Sequence, residues 1–377
     1  MTVWSFPTRI VFGAGEAAGT GDAARDSGLR RALLVTDPGV LRAGLCDRVR
    51  ASLERAGVVV AVFSDIEGNP TEANIEAGAA AFRQHAADGA VSVGGGSAID
   101  AAKLIALRAR TDLPFEQLDD AVDGGRHVPA DVPPTIALPT TAGTGSEVGR
   151  SGVLTVRSTG RKTVVFSPHL LPRTAILDPE LTVSMPPHVT AATGFDALTH
   201  NIEAYLSLGD HPLADAIALG GVELVVSHLE RAVRDGGDLA ARGAMMKAAM
   251  MGAIAFQKGL GACHSLAHPL SSECGLHHGL ANALCLPAVI DFNEPSAAER
   301  VQRLAALFGA GGRAGALGAA VRRLRGAVGI ADGLASAGVR SEQLEPLADK
   351  ALEDACHRSN PRPCTRADLL ALYRASL

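Results

Sequence analysis

One aspartate and several histidines recur at spacings that would bring their side chains together. Asp196 and His200 lie four residues apart in a stretch with helical periodicity, so both side chains project from one helix face. His264 and His268 repeat that spacing, and His278 follows ten residues after His268. This pattern predicts a metal site built from distant parts of the chain.

Three imidazoles and one carboxylate suit a borderline divalent cation, whereas Mg²⁺ prefers a site richer in oxygen. Fe²⁺ and Zn²⁺ are both ions of this kind. We expect Pro269 and Gly275 to break the helix, so that the chain folds back towards the site. The candidate ligands are Asp196, His200, His264 and His278.

Other residues of the same region are alternatives. Cys263 and Cys274 are alternative thiolate ligands, although cysteine is commonly a small buried hydrophobic residue. His277 is the nearest competitor for the role of His278. His211 and His228 are interpreted as ordinary surface histidines.

Glycine-rich turns in the first half indicate where a nucleotide would bind. The sequence Gly-Gly-Gly-Ser at 94–97 follows a buried apolar run and opens a helical stretch at 98–107. A helix start offers free N–H groups, and glycines let a pyrophosphate approach the backbone. The alternative is a plain strand-to-helix turn with Ser97 as the N-cap. The glycines at 13–19 are one residue off the dinucleotide fingerprint, so a tight turn is expected there.

Two further elements fit a nucleotide site. The segment 139–148 places three threonines and two glycines after an apolar run, which is poor core material but suits the lining of a polar ligand. Asp37 ends another apolar run and could accept a hydrogen bond from a ribose hydroxyl, which would favour NAD(H) over NADP(H). That carboxylate could equally cap a helix before Pro38.

The arrangement of elements predicts two domains. Short apolar runs at 32–36, 58–63, 90–93 and 135–138 alternate with helical stretches such as 72–85 and 99–107, which indicates a parallel sheet covered on both faces. After the prolines between 178 and 187 the periodicity becomes helical, at 191–206, 214–233, 239–256, 297–307 and 344–356. We predict an α/β dinucleotide-binding domain at 1–183 and an all-α, metal-binding domain at 184–377.

Composition excludes several classes of protein. The 377 residues are 47% hydrophobic and 20% charged, which is typical of a folded globular chain and atypical of a disordered one. The net charge of −5 without a basic cluster makes a nucleic-acid partner improbable. Neither a signal peptide nor a membrane-spanning stretch is evident, and the six cysteines form no CxxC pair. We expect a cytoplasmic protein with reduced thiols and no membrane partner.

Several motifs resemble those of the iron-containing (group III) alcohol dehydrogenases. In the first half these are Gly-Gly-Gly-Ser-x-x-Asp-x-x-Lys at 94–103, Pro-Thr-Thr-x-Gly-Thr-Gly-Ser-Glu-Val at 139–148 and Asp-Pro-x-Leu-Thr at 178–182. In the second half they are Asp-Ala-x-x-His-x-x-Glu-Ala at 196–204, His-x-x-x-His-Pro at 264–269, His-Gly-x-x-Asn-Ala at 278–283 and Asn-Pro-Arg at 360–362. The resemblance covers nearly the whole chain.

The resemblance implies the dehydroquinate synthase-like fold of that family, a homodimer and a small alcohol or aldehyde substrate. It implies that the four candidate ligands hold one metal and that His268 lies beside the nicotinamide and substrate; a proton-relay role for His268 is our own hypothesis. Asp100 and Lys103 belong to the pattern, with a structural role inside the helix as plausible as a catalytic one. The cofactor residues that it implies are Gly95, Gly96, Ser97, Thr140, Thr141, Thr144 and Lys162.

The predicted activity is metal-assisted interconversion of an alcohol and an aldehyde with NAD(H). The chain departs from many relatives at Gly149 and Arg150, near the substrate in the family, and Arg150 with Lys258 suggests an anionic aldehyde carrying a carboxylate or phosphonate. Alternatives within the superfamily are a maleylacetate reductase and, more distantly, a glycerol dehydrogenase-like enzyme or dehydroquinate synthase. A non-redox protein that binds nucleotide or metal for structure or sensing is the alternative from another class.

Overall fold

The computed structural model describes residues 8–158 and 160–377 and divides the chain into two compact units. The first unit runs to Thr141 and continues over Gly145–Ser184. The second comprises Ala142–Thr144 and Met185–Leu377. The chain therefore passes from one unit to the other within the threonine-rich segment as well as in the proline-rich one.

The first unit is built on a parallel sheet. Its strands are β1 (Arg9–Phe12), β2 (Arg31–Val35), β3 (Val59–Phe63), β4 (Gly89–Gly94), β5 (Thr135–Pro139), β6 (Ser151–Thr155), β7 (Lys162–Phe166) and β8 (Thr174–Leu177). Six of them form a sheet in the order β1-β8-β5-β4-β2-β3, with every pair parallel. β6 and β7 form a separate antiparallel hairpin.

Helices cover both faces of this sheet. They are α1 (Thr20–Asp26), α2 (Pro38–Arg42), α3 (Leu45–Arg55), α4 (Glu72–Gln84) and α5 (Gly96–Arg108). Leu33 belongs to a buried cluster with Ile105 of α5, whereas Leu34 belongs to a second cluster with Leu53 of α3. Successive side chains of a strand point to opposite faces, so β2 contributes to two cores. Each buried leucine contributes about 2 kcal/mol to the free energy of folding.

The second unit is helical over its described residues. Its helices are α6 (Pro187–Leu206), α7 (Pro212–Arg234), α8 (Leu239–Ala255), α9 (Ala262–Cys274), α10 (His278–Asn293), α11 (Ala298–Leu307), α12 (Ala316–Ala327), α13 (Leu344–Glu353) and α14 (Arg366–Ser376). α6 lies at the centre, packed against α7, α8 and α10. Seventeen of its twenty residues are buried, so its polar residues must find partners inside the protein.

Two helices are long and apolar enough, by length and composition, to cross a membrane, contrary to the expectation from the sequence. They are Pro212–Arg234 and Leu239–Lys258. In the structure these two helices pack against each other and against α6. Core helices of a helical bundle meet the same length and composition criteria.

The fold class predicted from the sequence is confirmed: a parallel α/β region precedes an all-helical one. The four predicted central strands are present with bounds shifted by at most a few residues. The β6–β7 hairpin and β8 were not predicted. In the hairpin only alternate residues, such as Leu154 and Val165, are fully buried, and its short strands give a weak periodic signal.

Candidate active site

α6 supplies the first two candidate ligands. Asp196 and His200 are one helical turn apart and point to the same face, as their spacing predicts. Both side chains are buried, at 3% and 5% exposure. Burying a carboxylate is costly unless a cation or hydrogen-bond donors compensate its charge, so the surroundings of Asp196 decide what this site can hold.

The other two candidate ligands approach Asp196 from α9 and α10. The Nε2 atoms of His200 and His264 each lie 4.0 Å from Asp196 Oδ1, and His278 Nε2 lies 3.5 Å from it. Two ligand atoms that are each about 2.1 Å from a tetrahedral ion are about 3.4 Å apart. The structure therefore brings all four predicted residues together, and the donor set fits one borderline divalent cation.

The side-chain amide of Asn282 lies close to three of these ligand atoms. Its nitrogen donates to Asp196 Oδ1 at 2.8 Å and lies 3.4 Å from His264 Nε2 and 3.3 Å from His278 Nε2. Asn282 is one turn after His278 on α10 and is fully buried. Three of the four candidate ligand atoms thus surround the amide of Asn282, and the ligand atoms of Asp196, His200 and His264 lie within 4.8 Å of one another.

Glu203 orients His264. Its Oε2 atom lies 2.6 Å from His264 Nδ1, and its Oε1 accepts the backbone N–H of Cys263 at 2.6 Å. A carboxylate at Nδ1 keeps the proton on that nitrogen and leaves the lone pair of Nε2 directed at the site. Glu203 was not among the predicted site residues, although its position three residues after His200 on α6 is a usable signal.

The electrostatics favour a negative Asp196 and neutral imidazoles at His200 and His278, whereas the pKa of His264 is shifted in the opposite direction. Burial alone would raise the pKa of Asp196, but the three histidines and Asn282 lower it to about 2. Burial lowers the pKa of His200 to about 4, against the opposing effect of Asp196, and lowers the pKa of His278 well below its usual value. Burial would also lower the pKa of His264, but Glu203 raises it. Metal ligands must be deprotonated, so His200 and His278 are ready to bind.

The two alternative thiolate ligands, Cys263 and Cys274, make contacts with other residues. The thiol of Cys263 contacts the carbonyl and the side-chain oxygens of Asn282 at 3.5 and 3.6 Å, and burial raises its pKa well above the usual value. Cys274 accepts a hydrogen bond from Gln343 at 3.6 Å. Buried neutral thiols are poor ligands, so these contacts favour the histidines over either cysteine.

The competing histidines cap helices or lie within one. His277 is the N-cap residue of α10, directly before His278. His211 caps α7 and accepts the N–H of Ala214, and His228 Nδ1 lies 3.0 Å from the carbonyl oxygen of Leu224.

His268 lies beside the four candidate ligands without joining them. Its ring stacks on that of His278 with centroids 5.3 Å apart, and its Nδ1 is 2.7 Å from Asp354 Oδ2. The sequence offered no signal for Asp354, which is 86 residues away along the chain. The prediction that Pro269 breaks the helix was wrong: Pro269 lies inside α9, and Gly275, in a left-handed conformation, ends it.

Glycines set the spacing of the helices around α6. A Cβ atom at Gly279 of α10 would lie 2.2 Å from the carbonyl oxygen of Ala192, and one at Gly252 of α8 would lie 2.8 Å from His200 Cβ. No side chain fits at either position without moving a helix. The positions of Asp196, His200 and His278 therefore depend on backbone contacts as well as on their own side chains.

In the first unit, the predicted phosphate loop joins β4 to α5. Gly95 is the N-cap residue and Gly96 begins the helix, so Ser97 is not the N-cap that the alternative interpretation proposed. Ser97 Oγ instead donates to the carbonyl of Gly68 at 2.5 Å. A Cβ at Gly94 would lie 2.6 Å from Ala98 Cβ, which explains the glycine there. The loop leaves the first amide groups of α5 without partners inside the helix.

Asp37 is a helix cap in this structure. Its Oδ1 accepts the N–H groups of Gly39 and Val40 at 2.8 and 2.9 Å, while Oδ2 would lie 3.5 Å from a Cβ at Gly94. The capping interpretation is thus correct, and the remaining oxygen faces the phosphate loop. The glycines at 13–19 form a turn, as expected, whose N–H groups at 15 and 17 donate to the carboxylate of Asp178.

The threonine-rich segment follows β5. Thr140 is buried and donates its backbone N–H to the carbonyl of Gly94 at 2.9 Å, and the Thr141 side chain lies 3.4 Å from where a Cβ at Gly95 would be. Thr140 and Thr141 therefore border the phosphate loop within the first unit. Thr144 belongs to the short stretch assigned to the helical unit.

Lys103 fixes the end of this segment. Its ammonium donates to the carbonyls of Ser146 and Ser151 at 2.7 and 2.8 Å and to Ser146 Oγ at 2.9 Å, and the side chain is 1% exposed. Asp100 accepts from Ser146 Oγ and, at 3.1 Å, from the N–H of Val153. All three protons of the Lys103 ammonium are used, so both residues of the motif have a structural role here.

Three cations singled out in the sequence differ in their surroundings. Lys162 begins β7, and burial lowers its pKa while Asp100 opposes that effect. The guanidinium of Arg150 lies over the ring of Phe166 at 5.3 Å. Lys258 is buried in an ion pair with Asp215 at 2.6 Å, and Asp215 also pairs with Arg300 at 2.9 Å.

Comparison with known proteins agrees with these observations. A family model described as iron-containing alcohol dehydrogenase matches residues 7–179, and the model of the C-terminal domain of that family matches residues 190–377. The chain belongs to the iron-containing alcohol dehydrogenase family. The resemblance stated from the motifs is thereby confirmed, and the chain is an alcohol dehydrogenase by family.

Individual members of the iron-containing alcohol dehydrogenases cover nearly the whole chain. It is 42% identical over 359 residues to 4-hydroxybutyrate dehydrogenase of Cupriavidus necator, covering 93% of each protein. The structure of a 1,3-propanediol oxidoreductase superposes with a TM-score of 0.94 at 34% identity, covering 100% of both chains. Sulfoacetaldehyde reductase from Bifidobacterium kashiwanohense, solved in complex with NAD⁺, superposes with a TM-score of 0.91 at 32% identity over 100% of this chain and 98% of that one.

Proposed function

We propose that this alcohol dehydrogenase interconverts a primary alcohol and its aldehyde with NAD(H), assisted by one divalent cation. In the oxidative direction the alcohol loses a hydride from carbon to NAD⁺ and a proton from oxygen, giving aldehyde, NADH and H⁺. The observation that carries the proposal is that three imidazole nitrogens lie within 4.0 Å of one oxygen of the buried Asp196 carboxylate.

In this proposal Asp196, His200, His264 and His278 hold the ion, Fe²⁺ in preference to Zn²⁺. When bound, such a cation acts as a Lewis acid that polarises the alcohol or aldehyde oxygen. The chain supplies the rest: Glu203 keeps His264 in the ligating tautomer. His268 exchanges the alcohol proton, directly or through water, because its imidazole can both accept and donate a proton.

The first unit holds the cofactor in this proposal. The amides at the start of α5, with Gly95, Gly96 and Ser97, bind the pyrophosphate, since a helix N-terminus favours an anion. Asp37 favours NAD(H), because its carboxylate would repel a 2′-phosphate. The threonines Thr140, Thr141 and Thr144 and the ammonium of Lys162 complete the set that the family resemblance implies.

The test is a spectrophotometric screen. Metal-free protein reconstituted separately with Fe²⁺ and Zn²⁺ is assayed at 340 nm with NADH or NADPH and a series of aldehydes. We expect turnover only with metal, with Fe²⁺ above Zn²⁺ and NADH above NADPH. Saturable NAD(H) binding without any absorbance change would instead support a non-redox binding protein, and full activity after exhaustive chelation would refute the role of the cation.

We also propose that the substrate carries an anionic group. Two relatives support this: one named for 4-hydroxybutyrate and another for sulfoacetaldehyde. Arg150 is the recognition residue in this proposal, because a planar guanidinium forms two parallel hydrogen bonds with a carboxylate and also pairs well with a sulfonate.

Matched substrates test the anionic proposal. kcat/KM is compared for 4-hydroxybutyrate and 1-butanol, which differ chiefly in the charged end, in the parent enzyme and in Arg150→Gln. We expect the parent enzyme to prefer the anion and Arg150→Gln to lose that preference while retaining activity on 1-butanol. Equal kcat/KM values for the two substrates in the parent enzyme would end the idea.

A further inference from the structure

Asp354 lies at the end of α13 and has both carboxylate oxygens engaged. Oδ1 accepts from Ser265 Oγ at 2.7 Å and from the backbone N–H of Cys356 at 2.8 Å. Oδ2 lies 2.7 Å from His268 Nδ1. Ser265 and His268 are on α9, one turn apart, so Asp354 ties the chain after α13 to the face of α9 that carries His268.

The charge of Asp354 determines which nitrogen of His268 carries a proton. Burial would raise the pKa of Asp354, but His268, Ser265 and the Cys356 N–H lower it far below its usual range. An ionised carboxylate only accepts hydrogen bonds, so the proton of the neutral imidazole must lie on Nδ1. Within the part of the chain that the structure describes, no hydrogen bond occupies His268 Nε2, and the side chain is 37% exposed.

We infer that Asp354 is a positioning residue that holds His268 in the Nδ1–H tautomer, so that Nε2 is the atom that exchanges the proton with the alcohol. This inference rests on the proposed function. In alcohol oxidation the lone pair of Nε2 accepts the proton, directly or through water, and in aldehyde reduction the proton is returned from the same atom. The carboxylate faces Nδ1 throughout and holds the ring in one orientation while Nε2 exchanges the proton.

The same three residues do not suit a second cation. A ligand nitrogen, an oxygen and a sulfur of His268, Asp354 and Cys356 all lie within 4.8 Å of one another. However, 2.7 Å between His268 Nδ1 and Asp354 Oδ2 is the length of a charge-assisted hydrogen bond. Burial and the neighbouring Asp354 raise the pKa of the Cys356 thiol well above its usual value, so the sulfur remains a neutral thiol.

Asp354→Asn reverses the tautomer for a geometric reason. Oδ1 receives two donors, Ser265 Oγ and Cys356 N–H, so the amide oxygen of the new side chain takes that position. Its NH₂ group then faces His268 Nδ1, which must act as an acceptor, and the proton moves to Nε2. The shape of the site is retained while the reacting atom loses its lone pair. In serine proteases the equivalent exchange lowers kcat by about 10⁴-fold through the wrong tautomer.

The test combines NMR with kinetics on the intact enzyme. Protein labelled with ¹⁵N-histidine and loaded with diamagnetic Zn²⁺ gives ring nitrogen shifts that distinguish protonated from unprotonated nitrogens, and His268→Gln identifies the His268 signals. The comparison variants are Asp354→Asn and, as a matched control, Glu353→Gln, which changes the adjacent exposed carboxylate.

We expect Nδ1–H in the parent enzyme and in Glu353→Gln, and Nε2–H in Asp354→Asn. We also expect kcat of Asp354→Asn to fall about 10²- to 10⁴-fold, with metal content and the KM for NAD(H) unchanged. An Nε2–H tautomer in the parent enzyme would overturn the inference even if Asp354→Asn failed to fold. An unchanged tautomer in a folded Asp354→Asn would overturn it as well.

The outcomes separate this inference from the proposed function. If the enzyme reduces aldehydes and Asp354→Asn shifts the tautomer without lowering kcat, the positioning role is wrong and the proposed function stands. If the parent enzyme shows no turnover with any alcohol or aldehyde, the proposed function fails, whatever tautomer the spectra record.

Discussion

The candidate binding groups of the two units differ: they are mainly backbone groups in the first unit and side chains in the second. In the first unit the nucleotide segment relies on backbone amides, glycines and short hydroxyl side chains at consecutive positions. In the second unit the metal set relies on ionisable side chains from three helices, three of them buried and the fourth, His278, partly exposed. A consecutive loop tolerates the loss of one contact, whereas a set of four ligands around one charge does not. The two regions should therefore respond differently to substitution.

The largest effect is expected for His264→Ala. It removes one of three imidazoles and leaves the buried Asp196 with less compensation, so metal content should fall from about one ion per chain to near zero and turnover by at least about 1,000-fold, roughly 4 kcal/mol. His268→Ala should keep its metal, and only the rates of the steps that transfer a proton should fall. Elemental analysis of both purified variants, with His228→Ala as control, measures this. Full metal content in His264→Ala would refute the ligand assignment.

A buried acid in the first unit should reverse the usual pH dependence of stability. Burial raises the pKa of Glu147 to about 7, and Lys103 only partly opposes this. Between pH 4.5 and 7 the folded protein therefore binds more protons than the unfolded chain, so this group makes the free energy of unfolding fall as pH rises, by up to about 3 kcal/mol.

Glu147→Gln should remove that contribution. Urea unfolding at pH 5 and pH 8 of the parent protein, Glu147→Gln and the exposed control Glu67→Gln measures it. The role assigned to Glu147 is wrong if the free energy of unfolding changes equally between pH 5 and pH 8 in Glu147→Gln and in the parent protein.

Glu203→Gln should weaken the metal site without abolishing it. The amide either offers an N–H to His264 Nδ1 or accepts from it weakly, so Nε2 loses part of its basicity, and metal affinity should fall about 10- to 100-fold. Competition with a chelator gives the affinity. Glu223→Gln, on the exposed face of α7, should match the parent protein; equal affinities for all three proteins would remove the orienting role.

Gly95→Ala should weaken cofactor binding and leave metal binding unchanged. The backbone there is unstrained, but the new methyl would lie 3.4 Å from Thr141, where the pyrophosphate is proposed to approach. We expect the Kd for NADH to rise about tenfold, near 1.4 kcal/mol, with metal content unchanged. Titration calorimetry measures both this variant and Gly326→Ala, whose Cβ meets no atom within 4 Å. An unchanged Kd for Gly95→Ala would argue against a phosphate site at this loop.

The smallest effect is expected for Asp37→Asn. Asparagine caps helices as well as aspartate does, so the melting temperature should hold, while the lost negative charge should shift the NADPH-to-NADH preference a few-fold towards NADPH. The ratio of kcat/KM with NADPH to kcat/KM with NADH, in the variant and in the parent enzyme, measures this preference. A ratio equal to that of the parent enzyme would leave Asp37 a capping residue and nothing more.

Local patterns predicted the fold well. The apolar runs that became β2, β4 and β5 are buried on both faces and bounded by glycine, proline or aspartate, so propensity and burial agreed there. The β6–β7 hairpin is partly exposed, and its pairing depends on the tertiary contacts that Lys103 and Asp100 make with its first strand.

Helical spacing predicted that Asp196 and His200 share one face of α6, because the i, i+4 pattern is local. The same spacing pairs His264 with His268, whereas His278 was proposed as a ligand from a predicted change in chain direction. The partners that orient them were not predictable in the same way. Asp354 meets His268 only because α13 ends beside α9, and no spacing rule connects residues so far apart. Pro269 was misread because a proline inside a buried helix is held in place by packing that the sequence does not reveal.

The glycines at 252 and 279 have a consequence for how such an enzyme can change. Because α8 and α10 rest directly on α6 at these points, a larger residue at either position would displace a whole helix and move several ligands at once. A change of metal preference in such an enzyme would therefore come from substitution of the coordinating residues themselves. Two positions that never touch the cation would then be among the least replaceable in the molecule.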